Sequence, residues 1–371
     1  MSIIYFDHNS TTKPSTQAIK EFVRLQDFAL NNLSMHQLGR KADMISEESR
    51  HNIKNLLNAD NFEVIFTSGA SESINLAING VECPVVLISK IEHSAGFNCR
   101  PQNKNIIEVD VDSDGLIDVQ KFQELINLQE RGNFLVSIML ANNETGSIQP
   151  IKELAKITHQ KNGLIHCDIV QAVGKIPVDL EDLNVDLVSI SAHKIGGLQG
   201  VGALLLRRGV NILPMIFGGG QEKNKRAGTL NIAGISSFAK ALEAAVKNLA
   251  EYKNKTKDLR DYLEKKLVNV AGKNVQIFSQ EINRLPNTCF FATKNCQSQT
   301  QLMQFDLNNI CVSAGSTCSS GTLQKSRVLQ AMQISKDFID CAIRVSLGKG
   351  NNHQEVDKFV EIWQKIYQKH N

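Results

Sequence analysis

The sequence predicts an α/β protein with a mostly parallel sheet flanked by helices, followed by a smaller α+β domain. Short apolar runs alternate with helical patterns over roughly the first two thirds of the chain, which is typical of repeated strand–helix units. Past a long helical pattern at about 233–268, short strands alternate with helices in a different rhythm. Several apolar runs end directly in polar side chains, as strands do at the ligand-binding edge of such sheets.

The domain organisation follows from this change of pattern. The 371 residues suffice for one large or two ordinary domains. Residues 16–250 are predicted to form the large domain. Residues 1–15 and 251–371 are predicted to form the small one, with the N-terminal strand rejoining the C-terminal part.

The individual elements are predicted from apolar periodicity and from turn residues between the runs. Predicted helices cover about 16–29, 43–57, 151–161, 233–268 and 353–368. Predicted strands cover 3–6, 63–67, 85–89, 105–109, 134–140, 164–168, 185–188, 200–206, 274–278, 287–292, 309–312 and 342–348.

Composition excludes several classes of protein. A net charge of +3, without basic runs interleaved with aromatic residues, argues against nucleic-acid binding. The longest apolar stretches, 134–141 and 201–206, are too short for a membrane span, and the first six residues lack signal-peptide features. We therefore expect a cytoplasmic protein. Eight scattered cysteines with no Cys-x-x-Cys pair argue against a metal site or a disulfide framework.

Lys194 is a candidate Schiff-base lysine because it follows a predicted buried strand, next to His193 and close to Ser191. Apolar walls and neighbouring positive charge would lower its pKa and leave a neutral amine able to attack a carbonyl. Taken alone, a lysine at a strand end is more often an exposed surface residue.

Other polar groups follow other predicted strands: His93, Asn143, and Asp168 with Gln171. Because the carboxyl ends of parallel strands share one edge, these groups are expected to converge with Lys194. Pyridoxal phosphate (PLP) requires such a set: a lysine, an acid for its ring nitrogen, a flat side chain over the ring and an anion site. The small residues at 68–73, which begin a helix, could supply the anion site. Alone, Asp168 could be a helix cap, His93 a loop histidine and 68–73 an ordinary capped helix.

Two features of the C-terminal part add to this set. Cys318 lies in the middle of residues 313–322, which are almost entirely Ser, Thr, Gly and Ala, so we expect a thiol in an exposed loop. Arg344 lies in an apolar strand and needs an anionic partner, either an internal carboxylate or the α-carboxylate of an amino-acid substrate.

Together these residues resemble the cysteine desulfurases of the NifS/IscS type, in the class V aminotransferase group of fold-type I PLP enzymes. The most specific segments are TSGASES at 67–73, HCDIVQ at 166–171, SAHK at 191–194 and GSTC at 315–318. The similarity extends over nearly the whole chain, from 5–12 to 344–348. Ser71 stands where the family usually has Thr, and Thr317 where Ala is usual.

The resemblance implies a homodimer that binds PLP as a Schiff base with Lys194. Asp168 would pair with the ring nitrogen, Gln171 would contact the ring hydroxyl, and His93 would stack on the ring and act in acid–base catalysis. Asn143 and Arg344 would hold the substrate carboxylate. The implied phosphate ligands are Ala70, Ser71, Ser191, His193 and, from the other subunit, Thr229.

The implied reaction converts L-cysteine to L-alanine and leaves a persulfide on Cys318, which passes its sulfur to an acceptor. The acceptor could be an iron–sulfur scaffold protein or the tRNA thiolation pathway, and the short segment after Arg344 leaves it open. A selenocysteine lyase and a class V aminotransferase are the alternative enzymes. A non-catalytic binding protein that keeps the fold is the alternative from another class.

Overall fold

The computed structural model describes residues 3–99, 103–314 and 325–370. Within these residues the helices are α1 Thr16–Gln26, α2 Gln37–Leu56, α3 Ala70–Gly80, α4 Ser94–Phe97, α5 Val119–Asn127, α6 Ile151–Gln160, α7 Leu180–Leu183, α8 Ile232–Lys247, α9 Leu249–Ala271, α10 Ser298–Leu307, α11 Arg327–Ala331, α12 Lys336–Ile339 and α13 His353–His370. The strands are β1 Ile4–Tyr5, β2 Phe62–Thr67, β3 Val85–Ser89, β4 Asn105–Val109, β5 Phe134–Met139, β6 Leu164–Asp168, β7 Leu187–Ser191, β8 Gly202–Arg207, β9 Val275–Ile277, β10 Thr288–Thr293, β11 Ile310–Cys311 and β12 Ala342–Ser346.

The main sheet has seven strands in the described residues, in the order β2-β8-β7-β6-β5-β3-β4. Strand β8 runs antiparallel to both β2 and β7, and the remaining pairs are parallel. The predicted α/β class with a mostly parallel sheet is therefore confirmed. Successive strands β3 and β4 lie on one side and β5 to β7 on the other, so the strand order reverses between β3 and β5. Ligands of such sheets bind at the carboxyl ends beside this reversal.

The sheet is buried on both faces, as expected for parallel strands covered by helices. Along β8, Leu204 and Leu206 belong to one apolar cluster, whereas Ala203 and Leu205 belong to the other. This alternation follows from the two-residue period of side chains in a strand.

A second apolar core lies in the C-terminal part, where α9, α10 and α13 pack against β10 and β12. Strand β1 pairs in parallel with β11, and Phe6 is fully buried in this second core. The N-terminal strand thus pairs with a strand of the C-terminal part. The domain boundary placed near residue 250 stays a prediction.

Two helix predictions were wrong in detail. The long helix predicted at 233–268 is divided into α8 and α9 at Asn248, whose side-chain amide donates to the Ala244 carbonyl at 2.6 Å. Such local bonds to the backbone compete with helix continuation. Helix α2 starts at Gln37 instead of near residue 43, because His36 caps it by accepting a hydrogen bond from the Gly39 amide. Among the helices described, none combines the length and apolar composition needed to cross a membrane.

Candidate active site

A cavity of about 640 Å³ lies at the carboxyl edge of the seven-stranded sheet. The side chains predicted to follow four different strands all line it: His93, Asn143, Asp168, Gln171, His193 and Lys194. The predicted convergence is therefore observed. Its physical origin is the shared direction of β3, β5, β6 and β7, which brings their last residues to one edge.

Lys194 lies in a single 3-10 turn, Ala192–Lys194, directly after β7. Its Nζ donates hydrogen bonds to the carbonyl oxygens of Asn9 at 2.6 Å and Ser10 at 2.7 Å. Burial, with a contribution from the positive charge of Arg344, lowers the pKa of Lys194 to about 8. A useful fraction of the amine is therefore uncharged near neutral pH, as a nucleophilic lysine requires.

Asp168 is the last residue of β6, and its Oδ1 accepts the Val170 amide at 2.8 Å. Burial raises the pKa of this carboxyl to about 6. Nearby Glu92 is also buried; burial and the charge of Asp168 raise its pKa well above the ordinary value. A buried carboxylate without a cationic partner in contact is costly, and a pyridinium nitrogen would supply that partner.

Two histidines line the cavity in their neutral form. His93 caps α4, with its Nδ1 accepting the Ala95 amide at 3.1 Å, so the ring proton lies on Nε2. His193 Nδ1 lies 3.1 Å from the Thr11 hydroxyl. Although His93 is open to the cavity, desolvation by the surrounding protein, together with nearby Lys194, lowers its pKa to about 4, and the same causes act on His193.

The start of α3 forms the candidate anion site. The first amides of an α-helix have no partner within the helix and favour anions. Ala70 and Ser71, at this start, line the cavity together with Ser191. Gly202 permits the close approach of this turn to β8, because a Cβ there would lie 2.7 Å from the Gly69 Cα.

Arg344 is almost fully buried and has an internal partner. Its Nη2 donates to Asp7 Oδ1 at 2.7 Å and to the Ser10 hydroxyl at 2.8 Å, and its Nη1 donates to the Asn143 carbonyl at 3.0 Å. Of the two partners left open by the sequence, the internal carboxylate is thus present. Among the described residues, Arg344 Nε has no hydrogen-bond partner, so one donor of the guanidinium is unused.

One predicted site residue does not join this group, and another lies outside the described residues. Thr229 is exposed and does not line the cavity. Cys318 lies outside the described residues.

Sequence reasoning missed three residues that the structure places here. Asn9 and Asp7 line the cavity, and Lys175 lies behind it, bonded to Asn9. Residues 7–12 follow the first predicted strand, and the sequence analysis assigned none of them a role in the site. A lysine in a turn is usually exposed, so no signal marked Lys175.

The chain is similar to a known protein family over most of its length. Residues 4–359 match the model of the aminotransferase class-V family. This chain belongs to the class-V aminotransferase family. Enzymes of this family depend on PLP, and this chain is a PLP-dependent enzyme. The cavity fits the cofactor, since a lysine of lowered pKa and an unpaired buried acid lie at one sheet edge beside a helix start.

Its relatives include cysteine desulfurases. The cysteine desulfurase IscS of Dictyoglomus turgidum is 37% identical over 99% of this chain and 95% of its own length. A cysteine desulfurase of Nostoc sp. is 34% identical over 100% of this chain and 94% of its own length. The NifS-like protein of Rickettsia africae superposes with a TM-score of 0.92 at 37% identity, covering 99% of this chain and 100% of that one.

Proposed function

We propose that this enzyme is a cysteine desulfurase that converts L-cysteine to L-alanine and collects the sulfur as a persulfide on Cys318. The observation that carries the proposal is the position of Lys194, a half-buried amine of lowered pKa that shares one cavity with Asp168 and Arg344. The names of the relatives support the reaction. A further similar structure, described as SspA in complex with cysteine, has a TM-score of 0.79 at 27% identity, covering 93% of this chain and 99% of that one.

In the proposed holoenzyme Lys194 would hold the cofactor and Asp168 would pair with its ring nitrogen. His93 would cover the ring, Gln171 would contact the ring hydroxyl, and the start of α3 would hold the phosphate together with Ala70, Ser71, Ser191 and His193. When bound, PLP would supply an electron sink for negative charge at the substrate carbon. The Lys194 amine would move the α-proton of the substrate, and His93 would exchange a proton with the substrate thiol.

Arg344 and Asn143 are the proposed carboxylate-binding residues. A guanidinium binds a carboxylate through two parallel N–H donors. The position of Arg344 in the cavity lining supports this role. Its unpartnered Nε is buried, so the substrate carboxylate would share the Nη groups that now bind Asp7 and Ser10.

The sulfur step balances because sulfur is oxidised while carbon is reduced. The thiolate of Cys318 bonds to the substrate sulfur, the Cβ–S bond breaks with its electron pair left on carbon, and that carbon takes up a proton to complete alanine. Residues flanking the Cys318 segment support its access to the substrate. Ser313 is paired with Arg344 through backbone hydrogen bonds, and Ser326 donates to Glu144, next to Asn143, at 2.5 Å.

A homodimer is part of the proposal. Four large apolar side chains are exposed just before the glycine-rich turn at 218–220: Leu213, Met215, Ile216 and Phe217. Exposed apolar patches of this kind mark protein interfaces. Thr229 is exposed on the same stretch of chain, which is consistent with a contact to the phosphate site of a second copy.

The sulfur acceptor is proposed to be an iron–sulfur scaffold protein or a component of tRNA thiolation. Trapping proteins that carry persulfide sulfur from Cys318 would identify it. The cytoplasmic location expected from the sequence stays a prediction.

The deciding experiment is Cys318→Ala in the PLP-loaded enzyme. We expect release of alanine and sulfide from L-cysteine to fall at least about 100-fold, because no thiol takes the sulfur, while the visible absorption of the bound cofactor is unchanged. Cys311→Ala is the matched control and should keep full activity.

Undiminished sulfide release by Cys318→Ala would contradict the proposal. Faster turnover of selenocysteine without the thiol would indicate a selenocysteine lyase. Amino-group transfer to a keto acid at a comparable rate would indicate an aminotransferase.

A further inference from the structure

Lys175 is a lysine that is almost completely buried, 3% exposed, behind the wall of the active-site cavity. It lies in the turn that follows β6, four residues after Gln171. Its Nζ donates to the side-chain oxygens of Asn9 at 2.7 Å and Gln171 at 2.5 Å. Lysine is rarely buried unless its polar end is satisfied, so both bonds are needed to hold it there.

The lysine contributes to the orientation of both amides. An ammonium group donates hydrogen bonds and accepts none, and even a neutral amine has a single lone pair, so Lys175 cannot face the NH2 ends of both amides at once. In the structure the oxygen atoms of Asn9 and Gln171 both point towards Lys175, and their NH2 groups point away from it. Asn9 Oδ1 also accepts from Asn287 Nδ2 at 3.0 Å, so Lys175 is one of two donors that orient Asn9.

Both NH2 groups are thereby turned towards the catalytic residues. Gln171 Nε2 donates to the Asn9 carbonyl at 2.9 Å, the same oxygen that accepts from Lys194 at 2.6 Å, and Gln171 lines the cavity. Asn9 Nδ2 donates to the Asn143 carbonyl at 3.1 Å and to the Thr288 hydroxyl at 2.9 Å.

We propose that Lys175 is a positioning residue that fixes the amide of Gln171 so that an N–H donor faces the cofactor's ring oxygen, and fixes the amide of Asn9 so that it supports Asn143. The cost of a wrong orientation would be two facing donors in a buried site. The inference rests on the proposed function only in placing the ring hydroxyl beside Gln171.

The charged groups that face Lys175 are Lys194 and Arg344. Burial, together with the positive charges of these two residues, lowers the pKa of Lys175 well below the ordinary value. His8 is also close, and its own pKa is lowered to about 4 by burial and by Lys175, so it is neutral. A simple charge effect of Lys175 on the cofactor must therefore be separated from its effect through Gln171.

The test is a double-mutant cycle read by the pH titration of the bound cofactor's visible absorption. Lys175→Met removes the donor at nearly constant length. Loss of the N–H donor leaves more negative charge on the ring oxygen, which holds the neighbouring proton more tightly. We expect the pKa of the titration to rise by about one unit, a tenfold change in the proton equilibrium. In a Gln171→Ala background, Lys175→Met should raise the pKa of the titration by less than about a third of a unit, because the Gln171 amide that Lys175 orients is absent.

A second readout uses the cofactor-free protein. With glutamine ¹⁵N labelling, the side-chain NH2 signals of Gln171, identified by their loss in Gln171→Ala, should shift and exchange faster in Lys175→Met. Lys104→Met is the matched control, because Lys104 also donates to buried carbonyls, those of Ile78 and Val81, but does not line the cavity. It should leave both readouts unchanged.

Lys175→Arg keeps hydrogen-bond donors at this position, so the pKa of its titration should lie within about a third of a unit of the wild-type value. This variant can be measured even if Lys175→Met does not fold. A full one-unit shift that persists in the Gln171→Ala background would overturn the proposal in favour of a charge effect, and so would an unchanged titration in Lys175→Met. These readouts need only bound cofactor or the free protein, so they are independent of whether the enzyme desulfurates cysteine.

Discussion

Two buried arginine–carboxylate pairs lie near β10 and β12 and differ in what surrounds them. Arg344 pairs with Asp7, and Arg284 pairs with Glu264 of α9, each at 2.7 Å. The Glu264 side chain is 6% exposed, whereas that of Asp7 is 18% exposed and lines the active-site cavity. An arginine–carboxylate pair at the same distance thus packs beside the C-terminal apolar core in one place and borders the candidate active site in the other. Distance alone therefore does not distinguish the two pairs; their surroundings do.

The Arg284–Glu264 pair should contribute mainly to the stability of the fold. Glu264→Ala leaves Arg284 buried with a donor unpaired, and removing one partner of a buried pair costs about 3–5 kcal/mol. We expect the free energy of unfolding, measured by urea titration of the holoenzyme, to fall by about 4 kcal/mol, with kcat/KM of the folded fraction unchanged. Glu264→Gln, which keeps volume and an acceptor, should lose less. A large fall in kcat/KM at a temperature where the variant is folded would break the comparison.

In the cavity we expect the opposite effect: the buried carboxylate of Asp168 lowers the free energy of unfolding. The pKa of Asp168 is about 6 in the folded protein against 3.8 for the ordinary group, so folding favours the protonated form. Above pH 6 the buried carboxylate costs about 3 kcal/mol, and this cost disappears as the pH falls through 6 towards 4. Asp168→Asn should therefore stabilise the cofactor-free protein by up to about 3 kcal/mol at pH 8 and hardly at all at pH 4, while abolishing activity.

Several histidines of lowered pKa, including His93 and His193, change stability with pH in the other direction. The measurement is therefore the difference between variant and wild type, by urea unfolding at several pH values. Asp179→Asn serves as the control of opposite sign: Asp179 caps α7 and its pKa is lowered by the Asp182 amide, so its removal should destabilise at pH 8. Equal effects of Asp168→Asn at pH 4 and pH 8 would contradict the assigned cause.

The Arg344–Asp7 pair, which lines the cavity, should contribute mainly to substrate binding. In Arg344→Gln about one charge-assisted interaction with the substrate carboxylate is lost, since Asp7 already occupies part of the guanidinium. Such a bond contributes about 2–3 kcal/mol, so KM for L-cysteine should rise about 100-fold. Arg344→Lys, which keeps the charge without the planar fork, should lie between the two. An unchanged KM would show that this pair is structural, like its counterpart at Arg284.

The sequence anticipated the parts of the site that depend on strand direction. Lys194, Asp168, His93 and Asn143 could be placed together because each follows an apolar run, and parallel strands end at one edge. Some strand limits agreed closely, as for Val85–Ser89 and Leu164–Asp168, because buried strands are rich in apolar residues. The strand predicted at 185–188 instead lies at Leu187–Ser191, because its last residues are serines. The break at Asn248 was missed, because one polar residue hardly disturbs an amphipathic pattern.

What the sequence by itself determined is the fold class and the list of candidate groups for the chemistry, because both follow from local periodicity and residue type. Only the tertiary structure decided that Asn9 connects Lys175, Lys194 and Asn143, and that Arg344 binds Asp7 across more than three hundred residues. These contacts join segments far apart in the chain, and no local pattern encodes the direction of a side-chain amide. That direction is settled by which donors and acceptors meet once water has been excluded.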